Sequence, residues 1–476
     1  MSRIRRIFKN MGWLFASTII ACICGFIWTI LVARYLQVSE YGILGFATSL
    51  SGILGFTTDL GITTHIVRHI STDYSSANKY LSNAIPLKSL FAAGTFLLTL
   101  ICLMVMKADE VTITVTLIIT MEMILKSFTA LFDSAFQAFE ISKFQGIGNI
   151  ILNITSFAFI LISIFADLGI FAISASYLIS SIIGLCYAYL MITRHVTRPK
   201  LEFDRDFCRK ITIASLPFAV GSILYTIYFS IDIVMLSNLV GNYATGIYNA
   251  CYKLISVLTV IQGIYGVVLF PVMNKLFKNE AELLTFTFEK SVKYLLMIIV
   301  PLALSIVIYS SDIINFIYGP EYAPAASTLS VLIWTLCLLF VTTICNLLLN
   351  ASHKEVTVTK IYGIAAAFNI ILNLVMIPRF SYIGAAITTV LSDVLIMVLQ
   401  LYVVYGLGHR VNRRVFADIA KIIMATGVLG ISLHILNLNM WVAIPVGIAI
   451  YLAAIILLRL FDDDDKHIIR EIIGKN

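Results

Sequence analysis

Charged side chains are scarce in this 476-residue chain: Asp, Glu, Lys and Arg make up 12% of it, whereas 60% is hydrophobic. A soluble domain carries about 25% charged residues, so this chain lacks the polar surface that a water-exposed body needs. Most of it must therefore be solvated by lipid. In hydrocarbon the backbone pairs its own polar groups, as helices or as closed barrels. The apolar runs are about 20 residues long and do not alternate with period two, so they predict spanning helices.

Motifs for cofactor, metal and nucleotide chemistry are also missing. No G-x-x-x-x-G-K-[ST] phosphate loop occurs, so the chain does not hydrolyse ATP by that route. The eight cysteines show neither a metal-ligand spacing nor a disulfide framework. The basic residues behind the net charge of +7 are spread over short loops, which argues against a nucleic-acid surface. We expect no cofactor, no metal and no nucleic-acid partner, and interpret Asp462 to Asp465 as the cap of an amphipathic surface helix.

The apolar runs predict an all-α integral membrane fold of about fourteen transmembrane helices. The first run follows a basic N-terminus, but it is too long for the apolar core of a signal peptide and is interpreted as a retained helix. The predicted spans are 11–33, 42–66, 83–106, 111–136, 146–166, 170–192, 211–236, 245–270, 290–310, 326–349, 357–377, 383–405, 416–436 and 440–460.

The distribution of positive charge predicts how these helices are oriented. Of the 33 Lys and Arg residues, 28 fall in the termini, in alternate loops or in the helix ends that border those loops; three fall in the remaining loops and two lie deeper within helices. Because cytoplasmic loops carry the excess of Lys and Arg, both termini are predicted to be cytoplasmic. We expect a multi-pass protein of the cell (cytoplasmic) membrane.

Short similarities recur at a constant offset in the two halves of the chain. F-Q-A-F-E from Phe136 and L-N-A-S-H from Leu349 are 213 residues apart, as are D-L-G-I-F-A-I from Asp167 and F-S-Y-I-G-A-A from Phe380. Such repeats are typical of transporters. E-Y-G-I-L from Glu40 and A-T-G-I-Y from Ala244 match at an offset of 204.

These repeats predict two pseudo-symmetric six-helix lobes plus two appended helices. Gln137 should superpose on Asn350, and Phe171 on Gly384. The predicted divisions are an N-lobe at 1–192 (helices 1–6), a cytoplasmic linker at 193–210, a C-lobe at 211–405 (helices 7–12), helices 13 and 14 at 406–460, and a cytoplasmic amphipathic tail at 461–476.

Several segments share their order and spacing with one family of exporters. They are A-R-Y-L-Q-V-S-E-Y-G from Ala33, D-L-G-I-T-T-H-I-V-R from Asp59, S-L-P-F from Ser215, D-I-V-M-L from Asp232, G-I-Y-N-A from Gly246, L-F-P-V-M from Leu269 and F-I-Y-G-P-E-Y-A-P-A from Phe316. Over helices 1 to 12 the chain thus resembles the polysaccharide-transporter (O-antigen flippase) family of the multidrug/oligosaccharidyl-lipid/polysaccharide (MOP) exporter superfamily.

This resemblance implies a bilobed bundle with a central cavity. It also implies a flippase that moves isoprenoid-diphosphate-linked oligosaccharide from the cytoplasmic to the outer leaflet, for the assembly of surface polysaccharide or glycan. The expected partners are the lipid-linked oligosaccharide, membrane lipids, H⁺ or Na⁺ as a coupling ion, and a glycan polymerase or glycosyltransferase.

Ionisable side chains at bilayer depth are costly, so each one is a functional hypothesis. Glu122 and Lys126 are four residues apart on one helix face, where they form either a functional pair or a self-neutralising pair that lets the helix pack inside. Asp393 is a candidate coupling-ion site or a partner for a neighbouring hydroxyl. Asp232 and Lys253 lie on adjacent helices and are candidates for a salt bridge.

The cations are candidates for binding the substrate diphosphate, because the guanidinium group binds phosphate oxygens in pairs. His65, Arg68 and His69 share a helix face, and the alternative for Arg68 is an ordinary interfacial cation. Arg34 stands out as one of three positive residues in predicted outer loops. The candidates for substrate binding are Arg34, Arg68, Lys253, His65 and His69, and the candidates for charge partners or coupling-ion ligands are Asp59, Glu122, Lys126, Asp232 and Asp393.

Two other functions compete with the flippase. One is a cation-coupled multidrug antiporter of the same superfamily. The other is a membrane glycosyltransferase or polymerase, which would need catalytic acids displayed at one face, usually on a large loop. The predicted outer loops are short, so we expect a transporter and not an enzyme.

The topology can be tested with reporter fusions after Asn476 and within the 193–210 loop. Because the positive charge concentrates on that side, we expect activity only from a reporter that works in the cytoplasm. Activity from a reporter that works only outside the cell, at either position, would contradict the predicted orientation.

Overall fold

The computed structural model describes residues 3–279, 281–409, 412–462 and 465. Within these residues it contains helices, two 3₁₀ turns (Tyr74–Ser76 and Pro320–Tyr322) and no β-strand. The helices are α1 Arg3–Tyr35, α2 Val38–Asp59, α3 Ile62–Ile70, α4 Ala77–Val105, α5 Glu110–Ala138, α6 Lys143–Phe165, α7 Gly169–His195, α8 Arg205–Leu239, α9 Asn242–Asn279, α10 Ala281–Ile308, α11 Ser310–Ile317, α12 Ala325–Leu332, α13 Trp334–Ala351, α14 Glu355–Gly406, α15 Arg413–Leu436 and α16 Met440–Leu457.

The number of membrane spans agrees with the sequence. Among the described residues, twelve helical segments are long and apolar enough to cross a bilayer, and α2 with α3 forms one further span that bends by 44°. α14 is 52 residues long, too long for one crossing, and its path breaks at Ser381, where φ is 52° and ψ is −134°. It therefore supplies two spans, and the all-α membrane fold of about fourteen spans is confirmed.

The predicted second helix, 42–66, is interrupted in the structure. Leu60 (φ 43°) and Gly61 (φ 77°) are both left-handed, so α2 ends at Asp59 and α3 begins at Ile62. Glycine adopts this conformation at little cost because it has no Cβ. The break separates Asp59 from the face that carries His65 and Arg68, which the sequence had placed on one continuous helix.

Local backbone conformations repeat between the two halves of the chain. Three pairs of left-handed residues recur at offsets of 212, 213 and 214 residues: Lys107 with Gly319, Glu140 with His353, and Asp167 with Ser381. These offsets lie within one residue of the 213 that aligns the repeated sequence motifs. These turns are therefore what two copies of one structural repeat would produce.

The chain packs as two compact units. Unit 1 comprises Met1–Ala250 and Ile370–Tyr382, and unit 2 comprises Cys251–Asn369 and Ile383–Asn476. In unit 1, α7 packs on α5 and α6, α1 packs on α6, and α2 packs on α4, α5 and α8. In unit 2, α10 packs on α13 and α15, and α15 packs on α16.

The predicted lobe boundaries remain predictions. Of the predicted tail, only Phe461, Asp462 and Asp465 are described, and the other residues of 461–476 lie outside the described part of the chain. The predicted linker is fixed to the first turns of α4: the Lys200 N–H donates to Ser82 Oγ (2.9 Å), and the Asp204 N–H donates to Asn83 Oδ1 (2.7 Å).

Helices α2 and α9 cross at two glycines that the sequence repeat makes equivalent. A Cβ on Gly42 would collide with the carbonyl oxygen of Asn242 and would lie 2.8 Å from the Gly246 nitrogen. A Cβ on Gly246 would in turn collide with the carbonyl oxygen of Val38. Val38 and Gly42 precede Asn242 and Gly246 by the same 204 residues, so the contact is reciprocal. Only glycine permits two helix backbones to approach so closely.

We expect Gly42→Ala and Gly246→Ala each to lower the thermal stability of the purified protein, because the added methyl group forces the two backbones apart. The matched control is Gly263→Ala on α9, where a Cβ meets no atom within 4 Å. That change should leave stability equal or slightly higher, since alanine favours the helix. Equal melting temperatures for all three variants would contradict the close crossing.

Candidate functional site

A buried ion pair joins three helices of unit 1 at the bend between α2 and α3. The ammonium of Lys88, on α4, lies 2.6 Å from Asp59 Oδ1 and donates to the Ser127 carbonyl of α5 at 2.9 Å. Thr63, in the first turn of α3, also donates to Asp59. The Lys88 side chain is fully buried. The charge distribution counts Lys88 with the cytoplasmic positive residues, although it falls inside the predicted span 83–106. The structure buries it within α4, where the Asp59 carboxylate neutralises it.

A second ion pair forms on α5, where the sequence placed it. Lys126 Nζ lies 2.5 Å from Glu122 Oε1, one helical turn away. Glu122 is buried and receives a longer contact from Ser181 of α7 (3.4 Å), whereas the Lys126 side chain is 42% exposed. The pair therefore has a buried acid on the α7 side and an accessible cation.

The pair belongs to a polar stripe along α5. Residues at positions i, i+4, i+7, i+11 and i+15 share a helix face. The stripe consists of Glu122, Lys126, Thr129, Asp133 and Gln137, and it ends with a hydrogen bond from Gln137 Nε2 to Gln145 Oε1 of α6 (3.2 Å). Asp133 was not among the predicted residues, although its spacing from Glu122 would have revealed it. A polar stripe on a spanning helix faces protein or water rather than lipid.

Hydroxyl groups also connect the helices of unit 1. Ser51 of α2 and Thr120 of α5 lie 2.9 Å apart, and Thr95 of α4 lies 3.0 Å from Thr58 of α2. All four are buried. In a membrane such hydrogen bonds contribute about 0.6 kcal/mol each, so their main effect is to fix which faces of the helices meet.

Asp232, near the end of α8, is buried and accepts two hydrogen bonds within unit 1. Tyr248 Oη of α9 donates to Oδ2 at 3.0 Å, and Asn373 Nδ2 of α14 donates to Oδ1 at 2.6 Å. The sequence did not indicate Tyr248 and Asn373, and the salt bridge between Asp232 and Lys253 stays a prediction. Lys253 itself is half-buried on α9, in unit 2.

The predicted substrate-binding arginines of unit 1 lie near the ends of two different helices. Arg34 is exposed at the end of α1, beside Tyr35, which donates to Asp167 Oδ1 (2.8 Å) and accepts from the Gly169 N–H (2.9 Å). Arg68 is exposed on α3. The structure therefore does not bring these two arginines together on one element.

The two histidines of α3 are part of an aromatic cluster. The rings of His65 and His69 are 4.2 Å apart, and His69 stacks on Tyr80 of α4 at 5.7 Å. Tyr80 in turn contacts Phe207 of α8, and the ammonium of Lys79 lies 4.5 Å from the centroid of the Phe207 ring. His65 is buried and His69 is exposed, so only the second can meet a ligand without rearrangement.

Unit 2 contributes a buried acid and an amide network. Asp393 is buried on α14. Two turns further along the same helix, Gln400 Nε2 donates to Asn346 Oδ1 of α13 (2.8 Å), and Asn346 Nδ2 donates to Tyr362 Oη (3.2 Å). No group of three or more metal-ligating side chains occurs among the residues that the structure describes.

Unit 2 also contains an apolar groove of about 420 Å³ between α10, α15 and α16. Its walls include Met297 and Leu302 of α10, Leu433 of α15, and Ile448 and Leu452 of α16. The Tyr451 hydroxyl points away from solvent and donates to the Met297 carbonyl at 2.7 Å. The groove is therefore suited to a hydrocarbon chain and unsuited to a polar head group.

The fold is one that the chain shares with a class of solved membrane transporters. Lipid II flippase MurJ, in an inward closed conformation, matches with a TM-score of 0.77 at 17% identity, over 94% of this chain and 98% of that chain. An inward-facing MATE family transporter of the MOP superfamily matches with a TM-score of 0.68 at 12% identity, over 82% and 96%.

The sequence defines the family within that class. The model of the polysaccharide biosynthesis protein family matches residues 7–277, more than half of the chain, and the MatE model matches residues 217–375. The chain belongs to the polysaccharide biosynthesis protein family, as the motifs of helices 1 to 12 predicted.

Three relatives accompany the family match. An uncharacterised membrane protein of Methanocaldococcus jannaschii is 28% identical over 58% of this chain, and the match spans 56% of that relative's length. The capsular polysaccharide biosynthesis protein CapF of Staphylococcus aureus is 23% identical over 83% of this chain and 98% of its own. The probable low-salt glycan biosynthesis flippase Agl15 of Haloferax volcanii is 22% identical over 76% and 75%.

We expect Lys88→Met to destabilise the protein by about 3 kcal/mol, because it leaves the Asp59 carboxylate without its cation. The double variant Lys88→Met with Asp59→Asn should recover a large part of that loss, and Lys79→Met, on the exposed side of the same helix, should cost less than about 1 kcal/mol. Unfolding of the purified variants in detergent measures these differences. A Lys88→Met protein as stable as the Lys79→Met control would show that the pair does not stabilise the bend.

Proposed function

We propose that this protein is a flippase that carries isoprenoid-diphosphate-linked oligosaccharide from the cytoplasmic to the outer leaflet of the cell membrane, for the assembly of surface polysaccharide or glycan. The observation that carries the proposal is the family match over residues 7–277. It is supported by the names of two relatives, a capsular polysaccharide biosynthesis protein and a probable glycan biosynthesis flippase. We propose a transporter and not an enzyme.

The proposed substrate explains why one chain carries both polar helix faces and an apolar groove. The substrate has a diphosphate with about two negative charges, which must cross roughly 30 Å of hydrocarbon. An anion stripped of its water needs compensating cations along its path. We assign this role to Arg34, Arg68 and Lys253, with His69 and His65 beside Arg68. Asp59 is neutralised by Lys88, so its proposed role is to hold the bend that positions α3.

The apolar groove of unit 2 is the proposed seat of the isoprenoid chain. Its lining residues belong to spanning helices, and a linear hydrocarbon chain matches their chemistry. While the isoprenoid chain stays in lipid-like surroundings, only the head group of the substrate has to pass through a polar path. This arrangement removes the cost of moving the whole lipid through water.

Transport against a gradient requires a coupling ion, and we propose H⁺ or Na⁺. The candidate ligands are the buried carboxylates Asp232 and Asp393, together with the Glu122–Lys126 pair. Asp232 is supported by the two hydrogen bonds that it accepts from Tyr248 and Asn373, which hold the carboxylate in place. Rocking of the two repeats would expose the substrate path to one side of the membrane at a time.

The alternative function is a cation-coupled multidrug antiporter. It is supported by the MatE match over residues 217–375 and by the fold shared with a MATE transporter. A cationic drug would need exposed acids along its path. The exposed charged residues predicted for the path, Arg34 and Arg68, are cations instead. We therefore favour the anionic lipid.

We expect Arg34→Ala and Arg68→Ala each to abolish glycan export while the protein still inserts in the membrane. Arg→Lys at either position should restore export only in part, because an ammonium lacks the bidentate geometry of the guanidinium group. The matched control is Arg379→Ala, an exposed arginine of a predicted outer loop. Surface glycan in cells that lack the native gene measures export. Normal export by both alanine variants would refute the proposed cationic path and point to Lys126.

A further inference from the structure

A cluster of ionic groups lies beside the apolar groove of unit 2. Lys290, Lys293 and Tyr294 occupy one face of α10, at positions i, i+3 and i+4. All three converge on Asp465, which follows α16: the distances to its carboxylate oxygens are 2.6 Å for each ammonium and 2.6 Å for the phenol.

Two further carboxylates complete this cluster. Asp462 lies 2.7 Å from the Lys290 ammonium, and Asp418, in the second turn of α15, lies 3.4 Å from the Lys293 ammonium. We call Lys290, Lys293, Tyr294, Asp418, Asp462 and Asp465 the clamp. It ties together α10, α15 and the segment after α16.

The clamp is buried where it is most highly charged. Asp465 is fully buried, and the Lys293 side chain is 2% exposed. Burial by itself raises the pKa of Asp465, but the hydrogen bonds from Lys290, Lys293 and Tyr294 outweigh it and hold the pKa well below the usual value of 3.8. Removing one partner would leave a buried charge uncompensated, so the clamp should open as a unit rather than contact by contact.

Asp462 and Asp465 also accept hydrogen bonds from each other's backbone. The Asp462 N–H donates to Asp465 Oδ2 (2.9 Å), and the Asp465 N–H donates to Asp462 Oδ1 (2.8 Å). This reciprocal pattern is that of a capping box at a helix N-terminus. The run of acids thus presents two carboxylates to α10 in a fixed geometry.

The clamp and the groove share α10 and α15, and the third segment of the clamp directly follows α16, the third wall of the groove. Lys293 is one helical turn from Met297, a groove residue, and Asp462 follows the groove residue Ile455 by seven positions. α15 lines the groove through Leu429 and Leu433 and reaches the clamp through Asp418. Whatever fixes these helices at the clamp therefore also fixes the spacing of the groove walls.

We propose that the clamp is a positioning element for the lipid chain: it holds α15 and α16 against α10 so that the groove keeps the width that one isoprenoid chain needs. The inference rests on the proposed function for the identity of the chain. The clamp residues are positioning residues, since they act through the helices and touch no substrate.

The sequence supplies a probe for the state of the clamp. Residues 462–466 read D-D-D-D-K, which is the recognition sequence of enteropeptidase. With Asp465 buried under two lysines, the protease cannot engage it, so cleavage reports the open clamp. In the native protein we expect resistance, and this resistance should persist down to about pH 5, because a carboxylate with a lowered pKa keeps its charge until the pH falls toward that pKa.

The test compares Lys293→Met with the native protein in full-length, detergent-purified form. We expect cleavage to be faster by at least about tenfold, because the protease acts on the open population. We also expect a photoreactive isoprenyl diphosphate to label the groove residues several-fold less. Lys293→Arg should restore both properties in large part. The matched control is Lys360→Met, an exposed lysine of α14, which should behave as the native protein.

Three results would overturn the inference. A Lys293→Met protein as resistant to the protease as the native one would show that the clamp does not hold the tail. Faster cleavage with unchanged groove labelling would reduce the clamp to an anchor for the tail. Absence of groove labelling in the native protein would show that the isoprenoid chain does not bind in the groove. If the groove is labelled but no lipid-linked glycan is moved, the proposed function fails while the positioning role stands.

Discussion

A charge inside hydrocarbon must be compensated by the protein, and the rest of this structure follows from that constraint. With 12% charged residues, the chain places few ionisable groups inside the membrane, and several of the described ones have a partner. Lys88 is paired with Asp59, Lys126 with Glu122, and Asp232 is held by a phenol and an amide. Each pairing also joins neighbouring helices or turns. The interactions that compensate charge therefore also determine which helices lie side by side.

The internal repeat adds a geometrical constraint. Gly42 and Gly246 are equivalent in sequence, and each is pressed against the backbone four residues before the other. Such a reciprocal contact is the signature of a two-fold relation between α2 and the start of α9. Since no side chain separates the backbones there, the crossing is a firm contact, whereas the polar faces and the groove lie elsewhere on the same helices and their neighbours. The close helix crossing and the proposed binding surfaces therefore lie in different parts of the chain.

Much of the fold could be predicted from the sequence, because hydropathy reports helices that have to match the membrane. The Glu122–Lys126 pair could also be predicted from the sequence, since both residues lie on one helix. The bend at Leu60–Gly61 was not, because a leucine gives no sign of a left-handed conformation. The partners Lys88 and Asp59 are 29 residues apart, and Asn373 is 141 residues from Asp232, so only tertiary structure brings them together. The clamp was missed for the same reason: the acidic run was interpreted only as a helix cap, and its lysine partners are more than 160 residues away.

The central claim is that the cargo is an anionic glycolipid rather than a cationic drug. Reconstitution of the purified protein in liposomes that contain a fluorescent isoprenoid-diphosphate-linked oligosaccharide tests it directly. The account predicts that glycan head groups reach the opposite leaflet much faster than in protein-free vesicles, and that a lipophilic cation loaded in the same vesicles is not exported. Export of the cation in response to an imposed ion gradient, without movement of the glycolipid, would contradict it.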